Sequence, residues 1–302
     1  METRTVPVAV VDAFTDEPLA GNAAGIVPDA EGLNDDQRQA IARELAVSET
    51  AFLSDSARAD RRIRYFTPTT EVDLCGHATV ASFAHLFEHG EIEAGTYSLE
   101  TNVGVLDVEV RPNGTVRMEQ DEPRIERVDL AYETVAGALG IDPASLADVG
   151  ADLPLAVAST GFPVLVVPVN FLERLGDADP DDRAVTELCE EVGAMGVYAF
   201  TFDTIASEST LHGRTFAPRA GISEDPVTGT ASGATGAYLR EFEAFGGEFP
   251  EEMVFEQGHF VERPGEVRVQ VGGTVRVGGR AVEALSGTLS VPERDGDGIV
   301  EA

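Results

Sequence analysis

Lysine is missing altogether: all 21 basic residues of this 302-residue chain are arginine. Two chemistries are thereby excluded. No Schiff base to pyridoxal phosphate or to a carbonyl substrate can form, and no standard Walker A loop can be built. Cysteine is scarce. Cys75 and Cys189 are the only two, they have no metal-ligand spacing, and reduced thiols are expected in a cytoplasmic chain. No apolar run approaches the roughly 20 residues needed to span a membrane. The N-terminal METRTVPVAVVDAF is interrupted by Asp12 and reads as a first strand rather than a leader, so a cytoplasmic location is expected.

Positive charge is also in short supply. Asp and Glu number 54, and the formal net charge is −33. Nucleic acid is an unsuitable partner, because phosphate binding needs a basic surface. A hydrophobic content of 43% and regular turn signals argue against acidic disorder. The expectation is an acidic surface adapted to high salt, where a short Debye length screens carboxylate repulsion.

What the chain does hold is an internal duplication. Arg64, Phe66 and Pro68 recur as Arg214, Phe216 and Pro218 at an offset of 150 residues. Gly76, Ala78 and Thr79 recur as Gly229, Ala231 and Ser232 at an offset of 153. Each copy reads as a strand, a turn and a glycine-containing entry into a helix. Asn34 is a candidate N-cap for a helix over 35–45, echoed by a helix over 181–192. Another helix, over 132–139, should stop at Gly140. The stretch 78–88, ATVASFAHLFE, is apolar nearly all round and predicts a buried helix. Its counterpart at 231–242 reads as amphipathic with a small-residue first half. Strands are expected at 6–14, 24–27, 46–53, 62–66, 97–101, 103–111, 115–119, 155–159, 163–168, 197–202 and 208–216. A linker is expected at 123–127. A closing meander over 266–291 should turn at Gly272-Gly273 and Gly278-Gly279. Strands and helices do not alternate regularly, which predicts an α+β fold of two like halves.

Three groups stand out chemically. Glu49 sits in an otherwise apolar run, AVSETAFL. If desolvated, it could exchange a proton near neutrality; an edge-strand carboxylate facing water is the plainer alternative. Cys75-Gly76-His77 lies at the mouth of the first buried helix, where free backbone N–H groups bind anions and Gly76 permits close approach. Asp225-Pro226-Val227-Thr228-Gly229-Thr230 forms the second mouth. Two such mouths suit a small anion, with nearby titratable groups to handle a proton. His85-Leu-Phe-Glu88-His89 matches the inverted zinc signature H-x-x-E-H. Its place at a helix C-terminus, where histidine is favourable, is the simpler reading, and no metal is expected. Gly229-Thr-Ala-Ser232-Gly233 has its serine at the wrong spacing for a nucleophile elbow, and the glycines over 229–236 miss the dinucleotide pattern.

VDAFTDEPLAGNAAGIV, SETAFL, RYFTPTTEVDLCGHAT, GRTFAPRAGISEDPVTGTASGA and VGGRAVEALSGTL together resemble the PhzF-like phenazine-biosynthesis family, of the diaminopimelate-epimerase-like fold. The resemblance implies two similar domains, each a curved, barrel-like, mostly antiparallel sheet wrapped around a central apolar helix, with the site in the cleft between them. The expected division is 1–122, with a C-terminal strand at about 283–302 joining it, and 123–282. It further implies a cofactor-independent isomerase, commonly a homodimer, acting on a small carboxylate-bearing molecule. Glu49 matches the proton-transferring glutamate. His77 and Asp225 match polar residues around the substrate, and Gly76 and Gly229 match the helix mouths. Thr230 stands where the family motif often has serine, which narrows the pocket. Epimerases of this fold use two facing thiols. Here Cys75 holds the first position and Thr228 the second, a hydroxyl far too weakly acidic to replace a thiol, so Cys75 reads as a remnant or packing residue. A racemase and a non-catalytic binding protein are the alternative readings.

Overall fold

The computed structural model describes residues 3–147, 149 and 152–293. The chain packs as two compact units, one comprising 1–19, 23–116 and 280–302, the other 20–22 and 117–279.

The first unit opens with β1 (Thr3–Ala13), β2 (Asn22–Val27), α1 (Asp35–Leu45), β3 (Glu49–Ser54), β4 (Arg61–Phe66), the two-residue β5 (Glu71–Val72), α2 (Gly76–Glu88), β6 (Gly95–Thr101) and β7 (Gly104–Val110). The second carries β8 (Val116–Glu119), β9 (Arg124–Arg127), α3 (Tyr132–Leu139), β10 (Ala156–Ser159), β11 (Val164–Pro168), the short α4 (Leu172–Gly176) and α5 (Asp182–Val192). It continues with β12 (Gly196–Thr201), β13 (Leu211–Ala217), β14 (Ile222–Asp225), α6 (Gly229–Glu241), β15 (Met253–Gln257), β16 (Gly265–Val271) and β17 (Val275–Gly279). The chain then returns to the first unit as β18 (Ala281–Pro292), antiparallel to β1. Residues 294–302 of the strand expected at the C-terminus lie outside the described residues.

The duplication extends to strand direction. In the first unit β2 and β3 are parallel, β3 and β4 antiparallel, β4 and β6 parallel, and β6 and β7 antiparallel. In the second, β11 and β12 are parallel, β12 and β13 antiparallel, β13 and β15 parallel, and β15 and β16 antiparallel. The first parallel pair of each unit is joined by a crossover containing an 11-residue helix, α1 or α5. Asn34 caps α1 by accepting from the Gln37 N–H, and Asp181 caps α5 by accepting from the Ala184 N–H, each satisfying an orphan donor of the first turn. Both helices end on a left-handed residue, Ala46 (φ 53°) and Gly193 (φ 73°), which stops the helix and aims the chain into the next strand.

Each unit encloses one 13-residue helix. Residues 78–86 of α2 are all buried, as are 231–239 of α6. Helix α2 touches β18 and β1 at one end of its sheet and β7 at the other, so the sheet curves around it. The expectation that α6 is amphipathic is corrected: its sheet also reaches it from both ends, through β9 and β10 and through β16 and β17. Small residues permit this approach. A Cβ on Gly236 would stand 2.6 Å from Val269 Cγ1.

Two other expectations fail. Residues 124–127 are not a linker but strand β9, antiparallel to β10. Its sequence, RIER, offers too little apolar signal to announce it. Gly278 and Gly279 do not turn but lie within β17, where Gly278 pairs with Arg268. Strand β15, with no expectation attached, fills the place that β6 fills in the first unit. Among the described residues no helix is long and apolar enough to cross a membrane.

Candidate active site

The mouth of α2 gathers most of the chemistry. Ala46 ends α1, and shortly afterwards the chain enters β3 at Glu49, paired with Ala24 of β2. Across from it α2 begins after Cys75, whose side chain makes no capping hydrogen bond. His77 Nε2 lies 3.4 Å from Glu49 Oε2 and 3.3 Å from Ser48 Oγ, while Nδ1 lies 3.4 Å from Cys75 Sγ. The Ser48 hydroxyl donates to the Ala23 carbonyl at 3.3 Å. The Glu49 side chain is 18% exposed and that of His77 12%: largely desolvated, yet open to a ligand. A carboxylate facing a histidine at this distance can hold or pass a proton.

The mouth is braced from beneath. The Thr79 hydroxyl donates to the Cys75 carbonyl at 2.7 Å and lies 2.6 Å from the Tyr65 hydroxyl. Burial pushes the Tyr65 phenol well above its ordinary range, so it stays a neutral hydrogen-bonding group. Beside it, Arg64 grips Glu71 bidentately at 2.7 and 2.6 Å and also donates to Asp35 at 2.6 Å. The Arg64 hydrogen bonds hold the Glu71 and Asp35 carboxyls below their usual range.

The second mouth, described within its own unit, has a different population. Helix α6 starts at Gly229 after Thr228, again without a side-chain cap. Asp225 does not stand open: Asn22 Nδ2 donates to its Oδ1 at 2.9 Å and the Thr228 hydroxyl donates to its Oδ2. Asn22 also donates to the Val227 carbonyl at 2.9 Å, and Gln257 Nε2 donates to the Asp225 carbonyl at 2.7 Å. Asp225 thus fixes the loop that presents Thr228, Gly229 and Thr230. The Thr230 carbonyl is in turn anchored by the Thr160 hydroxyl at 3.1 Å. The bracing repeats that of the first unit: the Ser232 hydroxyl donates to the Thr228 carbonyl at 2.8 Å, and Arg214 grips Glu224 bidentately at 2.9 and 2.7 Å.

Within the first unit the structure therefore brings Glu49, Gly76 and His77 together. Within the second it brings Asp225, Gly229 and Thr230 together. Sequence reasoning missed Ser48, Tyr65, Asn22 and Gln257. Asn22 carried a signal, a polar residue at the head of an apolar strand. Gln257 carried none, being distant in sequence from the loop that it supports. The Cys75 sulfur meets the ring of the catalytic candidate His77, 3.4 Å from its Nδ1. Glu49, Cys75 and His77 each offer one ligand atom within 4.8 Å of the others, so this donor set could also hold a cation.

Residues 11–287 match the family described as phenazine biosynthesis-like protein. The chain belongs to the PhzF-like family. A relative described as an uncharacterised isomerase of Bacillus subtilis is 39% identical over 274 residues, covering 88% of this chain and 92% of that protein. The crystal structure of a PhzF-family phenazine biosynthesis protein of Bacillus anthracis is 34% identical, with a TM-score of 0.86, covering 95% of this chain and 99% of that one. A hydroxyproline epimerase from Agrobacterium vitis shares the fold alone, at 13% identity and a TM-score of 0.61, covering 96% of this chain and 92% of that one. The chain is a PhzF-like isomerase of the epimerase-like α+β fold.

Proposed function

We propose that this PhzF-like isomerase moves a proton and a double bond within a small carboxylate-bearing metabolite, without a cofactor, and that Glu49 carries the proton. The observation that supports this most is the Glu49–His77 pair, 3.4 Å apart and partly shielded at the uncapped mouth of α2. In the step envisaged, the Glu49 carboxylate takes a proton from an sp3 carbon. The released electron pair forms a new C=C bond to the neighbouring carbon, and the old π pair moves to the far carbon. The Glu49 carboxylic acid exchanges its proton with solvent and then protonates that carbon, so atoms and electrons balance and solvent hydrogen enters the product. His77 stabilises the changing charge on Glu49 through its Nε2. In the first unit the backbone N–H groups at Gly76 are the proposed anchor for the substrate anion; in the second unit Gly229 and Thr230 are proposed as substrate-binding residues, with Asp225 holding their loop in shape.

The racemase reading is weaker. The counterpart of Cys75 is Thr228, whose hydroxyl is already given to Asp225. The experiment that separates the readings is incubation of a panel of unsaturated carboxylates in D2O. An isomerised product bearing deuterium at the newly protonated carbon is expected. Deuterium at an amino-acid α-carbon would support a racemase, and binding with no exchange at all would leave only a binding protein.

Family resemblance also supports a homodimer, for which light scattering after size exclusion is the check. The charge of −33 supports a high-salt working environment. Thermal stability is expected to fall on dialysis from molar to about 0.1 M salt, where the Debye length grows from roughly 3 to 10 Å. An unchanged melting temperature would overturn that reading.

A further inference from the structure

The histidine pair at the far end of α2 is not used by this chemistry. His85 and His89 stand four residues apart, the spacing that puts two imidazoles on one helix face. Their ring centroids are 4.3 Å apart. The carboxylate between them is not the Glu88 of the H-x-x-E-H signature but Glu283 of β18. Its Oε2 lies 3.2 Å from His85 Nδ1 and 3.0 Å from His89 Nε2. The three residues each offer a ligand atom within 4.8 Å of the others. Bonds of about 2.0–2.1 Å to a tetrahedral zinc would set its ligand atoms roughly 3.3 Å apart, close to the separations found.

Two further observations point to a ligand. His85 is 6% exposed and its Nδ1 is buried, yet that nitrogen makes no well-directed hydrogen bond. A buried polar atom left in this way is rare and calls for a partner. Beside the group lies a cavity of about 330 Å3 lined by His85, His89, Asp29, Glu91 and Ser286, from which water could complete the coordination.

We propose that His85, His89 and Glu283 form a divalent-cation site, suited by its two imidazoles and one carboxylate to Zn2+. Bound there, the ion ties the C-terminal end of α2 to β18, the strand that closes the first unit against β1. It lies roughly 12–18 Å along the helix from His77, so its role is to fix α2 and not to enter the reaction.

The test is calorimetric titration of the chelator-treated, full-length protein with Zn2+ in high salt and excess Mg2+, which occupies diffuse carboxylate sites. Titration with Co2+ followed by absorption runs in parallel. One tight site is expected, with a raised melting temperature and visible cobalt bands lacking thiolate charge transfer. His89→Ala removes a half-exposed ligand and should leave the fold intact by circular dichroism. It and Glu283→Gln should each weaken binding by roughly tenfold or more, while His77→Ala leaves it unchanged. No binding, unchanged affinity in His89→Ala, or loss in His77→Ala with a thiolate-to-cobalt band in the wild type would overturn the proposal. The last result would move the site to Glu49, Cys75 and His77.

Discussion

The two mouths are copies whose supports agree and whose chemistry does not. Arg64 and Arg214 grip Glu71 and Glu224 in the same bidentate way, and each guanidinium also lies over a phenylalanine ring, Phe66 at 5.2 Å and Phe216 at 4.9 Å. Thr79 and Ser232 bind the N-cap carbonyls of their helices alike. The position that pairs with the parallel neighbour strand, however, is Glu49 in one unit and Gly196 in the other. A Cβ at Gly196 would stand 2.7 Å from the Phe216 carbonyl oxygen, so the second copy has no room for any side chain there. Cys75 and His77 likewise become Thr228 and Thr230. One unit keeps titratable groups at its mouth. The other keeps hydroxyls and a carboxylate already engaged with Asn22 and Thr228. The arginine clamp and the helix-start brace are present in both units, whereas the carboxylate facing a histidine is present at the first mouth and not at the second.

The clamps themselves can be broken to test that division. Arg214 is the more deeply buried, and it also donates to the Leu175 and Ala178 carbonyls, both at 2.9 Å. Arg214→Ala strips partners from a largely buried carboxylate and two carbonyls and should cost about 3–5 kcal/mol of stability, read by chemical denaturation. Arg64→Ala should cost less, about 1–2 kcal/mol, because Asp35 is mostly exposed and Glu71 partly so. Equal losses would mean that burial does not set the difference between the clamps. Cys75→Ser is the mildest test. If the thiol only positions the His77 ring, turnover should fall less than about tenfold, against the 10²–10⁴ attributable to a general base. A loss as large as that of Glu49 would restore the thiol to the chemistry.

Much of this is legible in the sequence. The helices over 35–45 and 132–139 carry their own stop or start signals, and Arg64, Phe66 and Gly76 announce the duplication by recurring. The apolar stretch 78–88 reveals its burial because no side of it is polar. The same inference fails for α6, whose glycines and alanines are buried by the close approach of a sheet and not by their own hydrophobicity. Strand β9 is hidden because RIER satisfies its hydrogen bonds with β10 while exposing most of its side chains. At the site, Glu49 is conspicuous as a charge in an apolar run. Its distance to His77 is not, since no local pattern links the start of β3 to the start of α2. The role of Glu283 beside His85 and His89 is hidden in the same way, because β18 returns from the far end of the chain.

The central claim is that Glu49 carries the proton. Glu49→Gln keeps the size of the side chain that lies 3.4 Å from His77 but removes the basicity. The direct measurement is turnover and deuterium uptake by this variant on a substrate found in the D2O panel, with its melting temperature taken alongside. Turnover and deuterium uptake should fall by at least about 10²-fold, with ligand binding and melting temperature close to wild type. Near-native turnover in a folded Glu49→Gln protein would contradict the claim.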